Sequence, residues 1–517
     1  MMLRRLAPAA ALLILAAAPL PAQLGLITVP HGSFRVDLSG AFYPNSDVWF
    51  NGNKRPLGSF VDGTANPTVA SLQASLASLL GQSVTGLSLG GVTAIASREH
   101  GVGDIGFAFG LTPRLTIFGT VPVVYTRSRI KTTFDGTTSR VGVNPANAKL
   151  GTSTGANTAN VFFSSFDVAL DTLRKRIQGN YYSGANATLA QQSVTSGTAM
   201  RAALYALIAD PAHASPVLPT AGDPLTTQLL AKIAGLQSTV NGALALPTPF
   251  VGAPEFPATT LTSAGFDSLL NEPAGLGLSS PNNLPHWGLG DMSAGIAYEL
   301  SRHGTPGGDG WRSIWLRATG RFPNAAAPDP GVLLDQGTGA KHKALQLEGI
   351  LDVGTHGIGV RAEASWLHQL PANLLTRPTS PDQLLAPPSF LAAVTTQSGD
   401  SISITAHPWL SFAPHLALSG TLQYWRRGAS TTTYLTGQAP IANVDPASLD
   451  VGSAANAIVV GIGISYFHDG RARDGTQSMP VEAGWSFERT VSSGAGIFPV
   501  TLTSRLYLRL YRPLVKH

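Results

Sequence analysis

From Gly32 onward, apolar side chains alternate with small or polar ones over segments of roughly 10 to 13 residues. A period of two places successive side chains on opposite faces of a strand. In 33–43, Phe34, Val36, Leu38 and Phe42 share one face, and Arg35, Asp37 and Ser39 take the other. In 103–111, Ile105, Phe107, Phe109 and Leu111 oppose Asp104, Gly106, Ala108 and Gly110. A turn at Thr112–Arg114 leads into 115–127, where Leu115, Ile117, Val121, Val123 and Tyr125 share a face. The same pattern predicts strands at 288–300, 312–322, 343–353, 357–369, 400–411, 415–427, 456–468, 480–490 and 500–512. That is about twelve (12–14), the even number that a closed membrane barrel requires.

Soluble sandwiches also alternate, so the links between strands matter more. Thr112–Arg114, 354–356 and 413–414 are tight, and 301–310 and 469–478 are turn-rich. The links between them are mostly long: 44–102, 130–287, 323–342, 370–399, 428–455 and 491–499. Short turns at one end and long loops at the other are typical of outer-membrane barrels, and put both termini in the periplasm. The longest link reads differently. Segments 160–178, 188–209 and 225–246 are rich in Ala and Leu, and Phe163, Phe166, Leu170, Leu173 and Ile177 lie near one helical face. A mostly helical extracellular insert at 130–287 is therefore expected between the third and fourth strands, with a further helix at 71–80 in the 44–102 loop.

Composition agrees with an all-β transmembrane antiparallel barrel. Charged residues make up 12% of the chain, against about 25% in an average soluble protein. Apolar residues reach 44%, too many for a disordered chain. Beyond the first two dozen residues no run approaches the roughly 18 apolar residues of a membrane helix. Arg4 and Arg5, the apolar stretch Leu6–Leu20 and the small residue Ala22 have the form of a secretory signal at 1–22, cleaved after Ala22, leaving 23–517 as the barrel. The absence of cysteine excludes disulfides, a lipid-anchored N-terminus and Cys-ligated metal. A formal charge of +5, part of it Arg4 and Arg5, does not suggest nucleic acid.

Matches to enzyme motifs lack their structural setting. GVGDIG at Gly101, Gly103 and Gly106 has no buried strand before it and no helix after it, as dinucleotide binding demands. GLSLG with Ser88 and GTSTG with Ser153 are expected to be loop glycines rather than nucleophile elbows. The twelve histidines include no H-E-x-x-H. No catalytic residue, cofactor or metal is expected.

The charged residues within strands are more telling. Arg35, Asp37, Asp104, Asp291, Glu299, Arg317, Arg321, Glu348, Asp352, Arg361, Glu363, Glu482, Glu488, Arg505 and Arg509 all oppose the apolar stripes. If those stripes meet lipid, these fifteen line a lumen, as a salt-bridge network that fills it or as a polar conduit. The aromatics Tyr43, Trp49, Phe50, Trp287, Trp311, Trp366, Tyr424, Trp425, Tyr466, Phe467, Phe487, Tyr507 and Tyr511 lie near strand ends, which suggests two interfacial girdles.

One motif repeats. HGVGDIGFAFGL at His100–Leu111 and HWGLGDMSAGIAYEL at His286–Leu300 share Gly101/Gly288, Gly103/Gly290 and Asp104/Asp291. This G-[VL]-G-D-[IM] opening resembles the bacterial outer-membrane transporters of the phenol-degradation meta-pathway group, themselves similar to long-chain fatty-acid transporter barrels. The long helical insert and the terminal RPLVKH depart from that group. The resemblance implies passive transport of small or hydrophobic compounds across the cell outer membrane. The partners would be outer-membrane lipid, the solute and, during biogenesis, the barrel-assembly machinery. The insert would cover the mouth, and conductance that grows on its deletion would mark it as the gate. A structural or adhesin-like barrel with a closed lumen, and a secreted soluble β protein, are the alternatives.

Overall fold

The computed structural model describes residues 27–61, 66–147, 150–279, 285–304, 310–355, 357–413, 415–468 and 480–513. The signal segment 1–22, most of the terminal RPLVKH and much of the turns near 305 and 473 lie outside them. Twelve antiparallel strands close into a barrel. They are β1 (Ser33–Asn45), β2 (Gly91–Gly110), β3 (Leu115–Asp135), β4 (Met292–His303), β5 (Trp311–Phe322) and β6 (Ala344–Gly354). The second half comprises β7 (Ile358–Gln369), β8 (Ser401–Ala413), β9 (Leu416–Arg427), β10 (Ala455–His468), β11 (Val481–Ser492) and β12 (Leu502–Pro513). Each strand pairs with its neighbour in sequence, and β12 closes on β1 with Arg35 opposite Tyr511 and Asp37 opposite Arg509.

Closure leaves no open sheet edge, which is what allows strands to stand in lipid. The wall is apolar outside: Leu38, Ile105, Phe107, Ile117, Leu316, Ile404, Leu418, Ile462 and Leu506 are exposed on it. Glycine on the inner face makes room for large luminal side chains. A Cβ on Gly484 would stand 2.1 Å from the Tyr507 ring, and one on Gly461 would stand 2.8 Å from the Glu488 side chain.

Two strands are much longer than their alternation indicates. β2 begins at Gly91 and β3 runs to Asp135, so parts of the expected 44–102 loop and 130–287 insert are strand. Their upper halves rise clear of the barrel, where one face packs on helices instead of lipid and the apolar contrast disappears. The fourth strand is also broken: His286–Leu289 pairs with β3, and β4 starts only at Met292.

The β2–β3 hairpin carries the helical cap. Its helices are α1 (Pro67–Leu80), α2 (Ser153–Gln178), α3 (Gly184–Ile208), α4 (Pro224–Ser238) and α5 (Ser263–Asn271). Thr152, Asp223 and Thr262 accept backbone N–H groups at the starts of α2, α4 and α5, satisfying donors that a helix leaves open. Phe162, Phe166, Leu173, Leu204, Ile208, Ile233 and Phe250 form one core with Leu72 and Leu76 of α1. Phe134 of β3 stacks on Phe266 of α5 at 4.7 Å, which ties this core to the hairpin. Leu173 is fully buried, so Leu173→Ala should cost the cap about 2–5 kcal/mol. Thermal loss of helical circular dichroism should shift down, while the heat-modifiable gel mobility of the barrel stays as in the parent.

Candidate functional site: the barrel lumen

Fourteen of the fifteen charged positions face inward by strand register, and most are buried; Asp291 lies outside the strands, in the break before β4, and lines the lumen from there. They assemble into local groups. Arg35 Nε meets Asp37 at 2.8 Å, and Arg509 bridges Asp37 at 3.5 Å and Glu482 at 3.1 Å. Tyr511 donates its hydroxyl to Glu482. Across the barrel Arg361 meets Asp352 at 2.5 Å, Arg317 pairs with Glu348, and Gln346 donates to the same Glu348 at 3.0 Å. Arg505 meets Glu488 at 3.0 Å, and Ser39 donates to Asp104 at 3.1 Å. Glu363 faces the charges of Arg317 and Arg361, and its two carboxylate oxygens accept no hydrogen bond. Opposite charges in a low-dielectric interior offset one another's desolvation only at such short range. Glu299 lies at the turn end, where it takes a two-point contact from Arg302 at 2.5 and 2.8 Å.

Two adjoining cavities remain, of about 100 and 90 Å³. Tyr43, Val102, Asp104, Phe118, Thr120 and Arg317 belong to the walls of both. The larger also meets Arg35, His407, Glu488 and Arg505, and the smaller meets Asp291, Arg321 and Gln346. Each is smaller than the ~150 Å³ apolar cavity known to admit benzene in another protein.

Both ends of this lumen are stopped. At the turn end the segment Ile27–His31 enters the barrel. Ile27 packs on Ala297, Trp315 and Ile350, and Val29 on Ala108 and Tyr511, with Phe118 against both. Val29 N–H donates to Thr116 Oγ1 at 2.8 Å, and Gly32 N–H to the Gly110 carbonyl at 2.9 Å. Gly110 is where the segment crosses the wall: a Cβ there would lie 2.2 Å from the Pro30 carbonyl oxygen. Nearby, Trp311 and Trp409 stack at 6.4 Å across Gly354 and Gly359.

At the cap end the stop is the loop 323–343. The Asp291 carboxylate accepts the backbone N–H of Ala325 at 3.1 Å and of Ala340 at 2.9 Å. Thr338 donates to the Leu289 carbonyl, and Ser128 to that of Leu334. Leu334 has φ 59°, costly for a branched side chain, and packs with Val48, Leu57, Phe60, Ala96 and Ile497 as a floor under the helices. The two copies of the repeated motif thus do different things. Asp104 is a luminal acceptor, whereas Gly290 and Asp291 break the strand and anchor the inner loop.

The girdle expectation needs correction. Tyr43, Trp311, Trp425 and Tyr511 are buried, and Tyr507 points inward beside them. Parity on β12 already set Tyr507 and Tyr511 opposite the leucines; nearness to a strand end does not tell which face a ring takes. Trp287, Tyr424, Tyr466 and Trp485 are exposed on the outer wall. The inner loop, the seat of Ile27 and Val29, and the luminal Trp315 and Phe118 escaped the sequence pattern. A short apolar pair and a Gly/Pro/Ala-rich loop carry no periodicity.

Among the described residues no group of three or more His, Asp or Glu is placed to hold a metal ion. Ser88 accepts a hydrogen bond from Gly90 N–H in a loop, and Ser153 opens α2.

No protein-family model matches the sequence, and no curated protein does. Among solved structures, an outer membrane channel from Pseudomonas putida F1 is similar, with 9% identity, 94% of this chain and 96% of the other covered, and a TM-score of 0.40. The P. putida toluene transporter TodX aligns at 12% identity over 94% of this chain and 90% of its own, with a TM-score of 0.27. A Pseudomonas aeruginosa FadL homologue aligns at 9% identity over 93% and 91%, with a TM-score of 0.25.

Proposed function

We propose that this chain is an outer-membrane channel that passes small, largely apolar compounds passively through a lumen held closed at rest. The observation that carries this reading is the pair of adjoining cavities, stopped by Ile27–His31 on one side and by 323–343 on the other. Both stops are segments seated on the wall, not parts of it, and so can leave it without unfolding the barrel. Neither resting cavity reaches the ~150 Å³ that admits benzene, so even a solute of one small ring would pass only when the stops move. The fifteen luminal charges would orient a polar group on such a compound. No proton or bond need change, so no catalysis is implied. The apolar outer band supports residence in a membrane, and the signal-like N-terminus supports the outer one.

The close pairing of both charge signs favours a second reading, a permanently closed structural barrel whose cap binds a partner. Single-channel recording on chain 23–517 in a planar bilayer separates the two. Because the inner loop lies beneath the helices, a version lacking 135–282 should not show larger steps than the parent; the cap alone is not the stop. Large steps on that deletion would assign the gate to the helices. Silence from every folded version, including those with the turn-end stop removed, would sink the channel.

A further inference from the structure

The outer wall changes character abruptly near the cap. Outward positions on β3 run Ile117, Val121, Val123, Tyr125 and then Arg127, Arg129, Lys131. Trp287 packs edge-on against Tyr125 at 5.0 Å, an aromatic pair at the level where hydrocarbon gives way to headgroups. On β2 the outward Glu99 lies covered beneath Arg129 at 3.0 Å, Arg127 at 3.7 Å and the Tyr125 hydroxyl at 2.9 Å. Beside this group, where β1 leaves the barrel at Asn45 and β12 enters it at Leu502, is a hollow of about 420 Å³. Arg129 flanks it on one side and Arg489 of β11 on the other, while Arg98 between them turns to the inner face, toward Asp335. Arg489 is exposed and has no ion pair among the described residues. The Nε atoms of Arg98 and Arg127 are covered and make no hydrogen bond.

Arg127 and Arg129 thus share one carboxylate, Glu99, and Arg129 and Arg489 face the same hollow, with Lys131 next outward on β3. Like charges set together destabilise a sheet unless an anion sits between them. Guanidinium groups take phosphate oxygens in pairs, through charge-assisted bonds stronger than neutral ones. Directly beneath the hollow the wall is bare hydrocarbon-facing surface, with Leu38, Ile105 and Leu506 exposed. We infer that the hollow binds the phosphate of a lipid headgroup in the surrounding leaflet, with its acyl chains lying along that apolar stripe. This is a site on the outside of the barrel and does not depend on transport. The stripe is what favours a lipid over free phosphate.

The test uses the folded full chain in uncharged detergent, with the heat-modifiable gel transition as the readout of ligand stabilisation. A bisphosphorylated disaccharide lipid of the lipid A type should raise the transition temperature saturably. Its dephosphorylated counterpart and inorganic phosphate at equal concentration should leave it unchanged. The double variant Arg129→Gln/Arg489→Gln should raise the half-saturating lipid concentration by roughly tenfold or more, the loss of charge-assisted bonds. Arg129→Lys/Arg489→Lys, which preserves charge and folding, should restore most of it, and added salt should weaken binding throughout. An equal shift with the dephosphorylated lipid, or equal affinity in parent and Gln variant, overturns the site. An equal shift with inorganic phosphate overturns the lipid as its occupant.

Discussion

Replacing Gly110 with valine should unseat the turn-end stop and, combined with Asp291→Ala to release the loop at the cap end, should turn a barrel that is closed at rest into one that conducts in discrete steps. The reasoning starts from how weakly the turn-end stop is held. Burying Ile27 and Val29 contributes roughly 1.5–3 kcal/mol each. The hydrogen bonds from Val29 to Thr116 and from Gly32 to Gly110 contribute about 0.5–1.5 kcal/mol each. Against this, ordering the backbone of Ile27–His31 costs about 1–2 kcal/mol per residue. The two sides match to within a few kcal/mol, so the segment is seated marginally. A Cβ at position 110 would lie 2.2 Å from the Pro30 carbonyl oxygen and 2.5 Å from that of Val29, and the segment has to leave. The β2–β3 pairing of Gly110 with Thr116 needs no glycine, so the wall should remain closed. Planar-bilayer recording beside the parent decides the matter, with gel mobility as the control for folding. Equal conductance in Asp291→Ala alone and in the double variant would mean that Ile27–His31 does not hold the lumen shut.

The second large effect is on the wall itself. Arg361 is among the largest fully buried side chains, and Asp352 opposite it is equally covered. Arg361→Met should destabilise the barrel by about 3–5 kcal/mol, because the acid left behind cannot reach water. Glu363, which faces the same guanidinium, is left with Arg317 alone of these two cations. Adding Asp352→Leu to Arg361→Met should recover much of the loss, since apolar residues of similar volume can replace a buried pair. Denaturant titration of the folded fraction in micelles reads both variants. A single variant as stable as the parent would show that solvent reaches this part of the lumen. By contrast, the Lys175–Asp171 pair on α2 is solvent-exposed, and removing it should change little.

Much of this architecture is legible in the residues. Alternation located all twelve wall strands, because the two faces differ so sharply: the outer one selects Leu506 and Ile404, while the inner one tolerates Arg505 and Thr405. Helical spacing located α2, α3 and α4, since an isolated cap must build its own apolar core. The alternation of short and long links separated the two ends of the barrel.

Other features exist only in three dimensions. The upper halves of β2 and β3 face helices on one side and water on the other, so Gly91–His100 carries no clean period. Ile27 and Val29 have no pattern of their own; Phe118, Trp315 and the bare backbone of Gly110 decide where they rest. The inner loop is positioned by contacts from distant parts of the chain, the Asp291 carboxylate on Ala325 and Ala340 and the Ser128 hydroxyl on Leu334, that no local sequence rule encodes. A local period reports which solvent each face meets. Where a segment meets another part of the same chain, only the tertiary structure supplies the partner, and with it the means by which this lumen is closed.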